Sequence, residues 1–147
     1  WAVSQLNATP TVKTGDKGVD GVINFVDISR KDMVGKGIIS VKGGKALNPG
    51  MVRDLKGTLE SQDGSFGILI TLVDPTKGML EEAAKAGIFE LAITAHGKPV
   101  QIPRIQILTA EQLFVNPIPI VLPQTAIDPF KKPDIKKNKI YQDEIEM

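Results

Sequence analysis

The sequence predicts a mixed α/β fold, a central β-sheet flanked by helices, on three observations. Two strand-like runs, at about residues 20–26 and 38–42, are joined by a short polar connection. A nearly continuous apolar run, Phe66 to Val73, stands between two helix-like segments. The full order reads helix, strand, strand, helix, strand, helix, strand, and alternation of the two element types builds a sheet covered by helices.

Trp1 to Leu6 reads as the end of a helix, with Trp1, Val3 and Leu6 as packing residues and Asn7 as its stop. The chain opens on Trp and not on Met, which suggests a piece of a longer protein. The two strand runs then form a hairpin around Asp27 to Lys36, a connection that contains Ser29, Arg30, Lys31, Asp32 and Gly35. Antiparallel partners share a constant sum of residue numbers. A turn centred near residue 31 places Asp20 opposite Lys42 and Val22 opposite Ser40. Side chains alternate with a period of two, so residues 20, 22, 40 and 42 share one face.

Asn48, Pro49 and Gly50 open a helix from about Met51 to Ser61, with Met51, Val52, Leu55 and Leu59 at helical spacing. Gln62 to Ser65 ends it. The run from Phe66 to Val73 has the character of a central strand covered on both faces. Asp74 as N-cap and Pro75 as first helical residue start a second helix, and Gly87 closes it after Lys85. Ile88 to Thr94 and Ile102 to Leu108 read as two further strands, and Thr109 to Phe114 as a short capped helix.

At 147 residues and 41% apolar content the chain can build one core and not two. Its formal charge of +1 argues against a nonspecific polycationic coat for nucleic acid, which needs a large excess of Lys and Arg. With no Cys there is neither a disulfide nor a cysteine-based zinc site or nucleophile, and one His, His96, excludes a multi-histidine metal centre. No apolar run approaches the roughly 18 residues of a membrane span, and no signal peptide opens the chain, so a cytoplasmic location is expected.

The hairpin carries the chemistry. Asp20 stands at the head of one strand, and Ser40-Val41-Lys42 ends the next. A carboxylate can hold Mg²⁺ (or Mn²⁺) through oxygen, and such an ion activates water for phosphodiester hydrolysis. A nearby Lys can orient that water or neutralise developing charge. The same residues also suit plain surface chemistry, a turn acid and a strand-terminal Lys.

Lys13-Thr14-Gly15-Asp16-Lys17-Gly18-Val19-Asp20-Gly21 followed by Ser40-Val41-Lys42 resembles the PD-(D/E)xK restriction-endonuclease-like superfamily, in its Mrr-like branch. Val41 to Lys45, Val52 to Gly57, Pro75 to Lys77 and Glu82 to Gly87 are similar to the nuclease-like domain found beside bacterial and phage amino-methylating DNA methyltransferases. The resemblance spans about residues 1–114 and implies a restriction-endonuclease-like three-layer core and a metal-dependent DNA endonuclease of restriction-modification or phage defence. It puts the catalytic aspartate and metal ligand on Asp20 and the catalytic lysine on Lys42. It implies DNA as partner, a fused or associated methyltransferase, and a homodimer for cutting both strands.

One residue departs from that pattern: Ser40 stands where the family has Glu, Asp or Gln, and a neutral hydroxyl is a weaker ligand for a hard cation. Either Asp16 or Asp54 compensates, or the fold serves as a noncatalytic DNA-binding or partner-docking module. Lys45, after the glycine pair Gly43-Gly44, and Arg53, Thr76 and Lys77 are candidates for DNA phosphate. A plain turn, a solvated helix face and an N-cap are the competing explanations for them. The glycine pair is not a phosphate-binding NTPase loop, because Ala46 stands where that motif needs Ser or Thr. Residues 1–115 form the expected domain. Residues 116–147, with five of the ten prolines and Lys131, Lys132, Lys136, Lys137 and Lys139, read as an extended arm or linker.

Overall fold

A computed structural model describes residues 9–10, 19–92, 98–115, 119–123 and 126–127. The expected helix end at residues 1–6, Asp16, His96 and the basic cluster of the arm lie outside the described residues. Within them the chain forms β1 (Thr9–Pro10), β2 (Gly21–Val26), β3 (Val34–Lys42), α1 (Gly50–Ser61), β4 (Phe66–Thr71), α2 (Lys77–Lys85), β5 (Ile88–Leu91), β6 (Val100–Pro103), β7 (Ile105–Thr109) and β8 (Ala126–Ile127). A 3-10 turn, Glu111–Phe114, follows β7.

The main sheet has the order β1-β2-β3-β4-β7, with β8 also on β2. The β2–β3 pair is antiparallel, whereas β3–β4 and β4–β7 are parallel. This is the mixed sheet expected. Its covering differs in one respect. Both α1 and α2 pack on one face, where Val52, Leu55, Leu59 and Met79 meet Ile38, Leu69 and Ile105. On the other face Ile23, Ile39, Phe66, Ile68 and Leu108 are covered by Leu91, Ile102 and Leu113, so among the described residues this third layer is a β-hairpin and a 3-10 turn. The all-buried β4 confirms a central strand with apolar cover on both sides.

The hairpin register corrects the expected one. Val22 pairs with Ile38, not Ser40, and Gly21 with Ile39, so partners sum to 60; the register ends at Gly21, and Asp20, whose N–H donates to Ile39 O, stands beside Ile39 and not opposite Lys42. The turn is shorter than the sequence suggests. The buried Asp27 accepts from Ser29 N–H at 3.0 Å and Ser29 Oγ–H at 2.6 Å, and Asp27 N–H donates to Met33 O at 3.0 Å. Met33 takes the left-handed conformation, φ 58°, and β3 starts at once. Gly35, expected in the connection, is inside the strand together with Gly37, and aromatic rings lie on both. A Cβ at Gly37 would come within 2.7 Å of Phe66 Cε2, and one at Gly35 would overlap the Phe25 ring. The slip is by two residues, so Val22, Ser40 and Lys42 keep their common face, but the expected place of Asp20 on that face is lost where the ladder breaks.

Two more boundaries move. Thr76, not Asp74, caps α2: its Oγ1 accepts from Met79 N–H at 3.2 Å. Gly87 closes the helix as expected, at φ 85°. The strand expected over Ile102 to Leu108 is two strands. β6 pairs antiparallel with β5 in a separate two-stranded sheet, and β7 joins the main one. The chain changes sheets at Arg104, whose N–H donates to Gly87 O and whose carbonyl accepts from Gly67 N–H; Pro103 before it has no N–H to give. Thr109 and Gln112 then form a capping box, Gln112 N–H on Thr109 Oγ1 and Thr109 N–H on Gln112 Oε1.

Beyond residue 115 some described chain still packs on the domain. Ile120 and Leu122 lie against the hairpin-side core, and Gln106 takes both the N–H and the C=O of Val121 at 2.8 Å. β8 pairs with Asn24 and Phe25.

The far end of the sheet is tied by an Arg30–Asp63 ion pair between the hairpin turn and the loop after α1. The hydrogen bond and charge of Arg30 hold the Asp63 carboxyl below its ordinary range. A carboxylate depressed on folding stabilises the fold above its unfolded pKa, and that contribution is lost as pH falls through the lower, folded value. Asp63→Asn is therefore expected to make thermal unfolding between about pH 5 and pH 2 less acid-dependent than in the wild type, by a small amount because the pair is exposed. Melting curves at stepped pH check it; an unchanged pH profile refutes the link.

Candidate active site

The parallel strands β3, β4 and β7 end level with one another: Lys42 pairs with Thr71, and Thr71 with Thr109. In open α/β sheets ligands bind beyond the carboxyl ends of the strands. Both helices start at this edge. A Cβ at Gly78 would stand 2.8 Å from Pro49 Cγ, so the first turn of α2 is packed on the entry to α1.

Asp20 reaches the same edge from the other direction, at the head of β2. Its N–H donates to Ile39 O at 2.8 Å, one residue out of step with the pairs that sum to 60, so the ladder is interrupted at Asp20 as at a bulge. Its carboxylate does something a ladder residue does not: Oδ2 accepts from Val41 N–H at 2.7 Å. In a regular continuation a backbone carbonyl of the β2 side would take that N–H. The side chain of Asp20 takes it instead, and so is pinned against the residue that separates Ser40 from Lys42.

Ser40 and Lys42 project to the face of Ile38, on which Val19 also packs, whereas Asp20, the next residue, is held at the strand edge by its bond to Val41 N–H. Ser40 is buried, 3% exposed, whereas Asp20 and Lys42 are half-buried. The structure thus brings Asp20 alongside the Ser40-Val41-Lys42 segment, through a main-chain contact that residue spacing does not reveal.

The outer candidates fall on the same edge in different states. Lys45 is exposed in the loop from Gly43, and a Cβ at Gly43 or Gly44 would meet nothing within 4 Å. Lys77 is exposed at the first position of α2. Thr76 has its hydroxyl committed to the cap. Arg53 is bonded to Glu82 of α2 at 3.3 Å, and Lys85 lies 3.8 Å from the same carboxylate. Asp54 is exposed on α1.

Sequence reasoning missed Thr71. It is fully buried beside Lys42, and its Oγ1–H donates to Val73 O at 2.8 Å, turning the chain from β4 toward α2. A polar residue at the end of an apolar run was its only signal.

A divalent cation can be tested against these donors. Among the described residues no three His, Cys, Asp or Glu side chains gather at one place. Asp20 supplies one carboxylate, with only Oδ2 seen to be engaged by the backbone, and Ser40 a neutral hydroxyl. One carboxylate is the least that can hold a hard divalent cation, with water and substrate phosphate supplying the other ligands. No helix among the described residues is long and apolar enough to cross a membrane.

No curated protein and no solved structure matches the chain. A family model does: Mrr_cat, restriction endonuclease, over residues 4–95. The match takes in both arms of the hairpin, α1, β4 and α2, and with them Asp20, Ser40 and Lys42. With more than half of its length matched, and with the sheet and strand-edge carboxylate already described, the chain belongs to the Mrr_cat restriction endonuclease family, an Mrr-like PD-(D/E)xK domain.

Proposed function

We propose that the domain is a metal-dependent endodeoxyribonuclease that hydrolyses phosphodiester bonds in DNA, with Asp20 and Lys42 as its catalytic pair. The observation that carries the reading is the Asp20 carboxylate fixed on Val41 N–H, between the two residues of the Ser40–Lys42 face. Asp20 holds Mg²⁺ (or Mn²⁺) through its remaining lone pairs. The chemistry such an ion supplies when bound is activation of water and neutralisation of charge at phosphorus. Lys42 sets a positive charge beside the scissile phosphate, where negative charge grows in the transition state. Ser40 is a weak or indirect contributor. Lys45 and Lys77 meet neighbouring phosphates and position the strand, with Thr76 presenting the start of α2. Arg53 joins them if its bond to Glu82 opens. The same reading places the protein in the cytoplasm, in restriction-modification or phage defence, with an associated methyltransferase and a homodimer for double-strand cutting.

A second reading, a noncatalytic DNA-binding or partner-docking module, is favoured by one observation: the position beside Asp20 holds a buried, neutral serine. Nicking of supercoiled plasmid with Mg²⁺ or Mn²⁺ separates the two. Activity lost in both Asp20→Asn and Lys42→Ala supports the nuclease; DNA retained without cleavage in the wild type supports the docking module.

The glycine loop has its own test. Since a Cβ at Gly43 or Gly44 meets no protein atom, and neither residue has a positive φ, Ala at both positions is expected to leave the melting temperature unchanged. If the DNA backbone approaches there, affinity for duplex falls in a filter-binding or anisotropy titration. Unchanged affinity makes the loop a plain turn.

A further inference from the structure

We propose that the lysine run at residues 131–139 is an arm for the DNA backbone, directed toward the active edge by the segment before it, and not a plain linker. The inference rests on the DNA reading above and adds to it a second contact, with phosphates that flank the cut.

The segment before the lysines is fastened across the domain. It leaves β7, the last strand of the main sheet, and reaches β2 near the other side. On the way Gln106 of β7 donates through Nε2–H to Val121 O and accepts from Val121 N–H at Oε1, both at 2.8 Å. Ile120 and Leu122 pack on the hairpin-side core, and Pro123 is buried. The strap then ends in β8, which pairs Ala126 with Phe25 and Ile127 with Asn24.

Direction follows from that register. β8 is antiparallel to β2, and β2 begins at the edge where Asp20 stands, so β8 runs toward that edge. A parallel β8 would have delivered the chain to the hairpin turn at the opposite end of the sheet. β1 already holds Val22 and Gly21 on the same side of β2, and Pro129 brings no N–H, so the ladder cannot continue far. Four positions separate Asn24 from Asp20, and four separate Ile127 from Lys131. At about 3.3 Å per residue, an extended chain begun at Ile127 brings Lys131 level with the active edge and the later lysines beyond it.

The charge pattern fits a backbone contact. Residues 131–139 hold five Lys and one acid, Asp134, whereas Asp143, Glu144 and Glu146 come only afterwards. Separated blocks of one sign are typical of arms that bind a partner of the other sign. Lysines that neutralise phosphates release counterions, so the contact has a salt signature.

The full chain with Gln at positions 131, 132, 136, 137 and 139 is compared with the wild type in anisotropy titrations of a duplex, with EDTA to prevent cutting, from about 50 to 200 mM salt. The plot of log affinity against log salt is expected to be shallower by about 0.9 for each lysine that meets a phosphate, with an unchanged melting temperature. Direction is read separately. The chain has no Cys, so one introduced thiol is a unique point of attachment. A photocrosslinker on Asn138→Cys is expected to capture the duplex, and the same reagent on Lys31→Cys, exposed in the hairpin turn, is expected not to. Equal affinity and equal salt slope for the Gln variant overturn the arm and make it a linker, while duplex binding by the wild type keeps the DNA reading. Capture from position 31 and not from 138 also overturns the inference. A wild type that binds no duplex overturns both.

Discussion

Asp20→Asn is expected to lower plasmid nicking by about 10²–10³-fold, the loss typical of removing one group that stabilises transition-state charge, while leaving the fold intact. The two effects separate because the carboxylate has two tasks. Toward the backbone it is an acceptor for Val41 N–H, and an Asn carbonyl oxygen fills that role. Toward substrate it is an anion, and Asn is not. Asp20→Ala removes both. It strands a half-buried N–H and is expected to cost about 1–3 kcal/mol of stability in addition. Denaturant unfolding of the two variants beside their nicking rates checks the division. Equal destabilisation by Asn and Ala would mean that the charge, and not the hydrogen bond, holds the strand edge. Wild-type nicking by Asp20→Asn would remove Asp20 from the catalytic pair.

Gly37→Ala is expected to destabilise the domain by about 1–3 kcal/mol, and by more if the core does not yield, although it adds a single methyl group. That methyl would overlap the outer edge of the Phe66 ring, its Cζ, Cε1 and Cε2 atoms, which reaches over the strand at this point. Phe66 has little freedom to retreat. It is fully buried, and its ring centroid is 5.6 Å from that of Phe25, which in turn covers Gly35. Shortening the aromatic should relieve the clash: Gly37→Ala with Phe66→Leu is expected to be less destabilised than the sum of the single variants, with a coupling of about 0.5–3 kcal/mol. Midpoints of urea unfolding for the four proteins of the cycle measure it. Strict additivity would mean that the ring does not occupy the space above Gly37.

The same glycines explain why the hairpin register was misjudged by two residues. Glycine in a strand costs entropy, so in a sequence it signals a loop, and Gly35 extended the turn on paper. In the folded chain Phe25 and Phe66, remote in sequence from each other, need a strand surface without side chains. The long-range packing requirement outweighed the local preference. The break at Arg104 has a similar cause. Ile102 to Leu108 is one apolar stretch, and its division between two sheets depends on Gly87 and Gly67, which take the N–H and donate to the C=O of Arg104.

Local chemistry was enough for much else. The apolar spacing of Val52, Leu55 and Leu59 gave α1, the uninterrupted run of β4 gave a strand buried on both faces, and Gly87 marked the end of α2. Thr109 and Gln112 gave a cap. A period of two, insensitive to an even slip, put Val22, Ser40 and Lys42 on one face, though not Asp20, where the ladder breaks. These features depend on residues close in the chain or on a pattern that repeats, and so the sequence by itself determined the fold class and the family. Tertiary structure alone decided the pairing of Asp20 with Val41 N–H, the commitment of Arg53 to Glu82, the burial of Ser40 and the choice of Thr76 over Asp74 as a cap. Each of these turns on which backbone group or opposite charge is left within reach once the strands and helices are packed, and no local pattern carries that information.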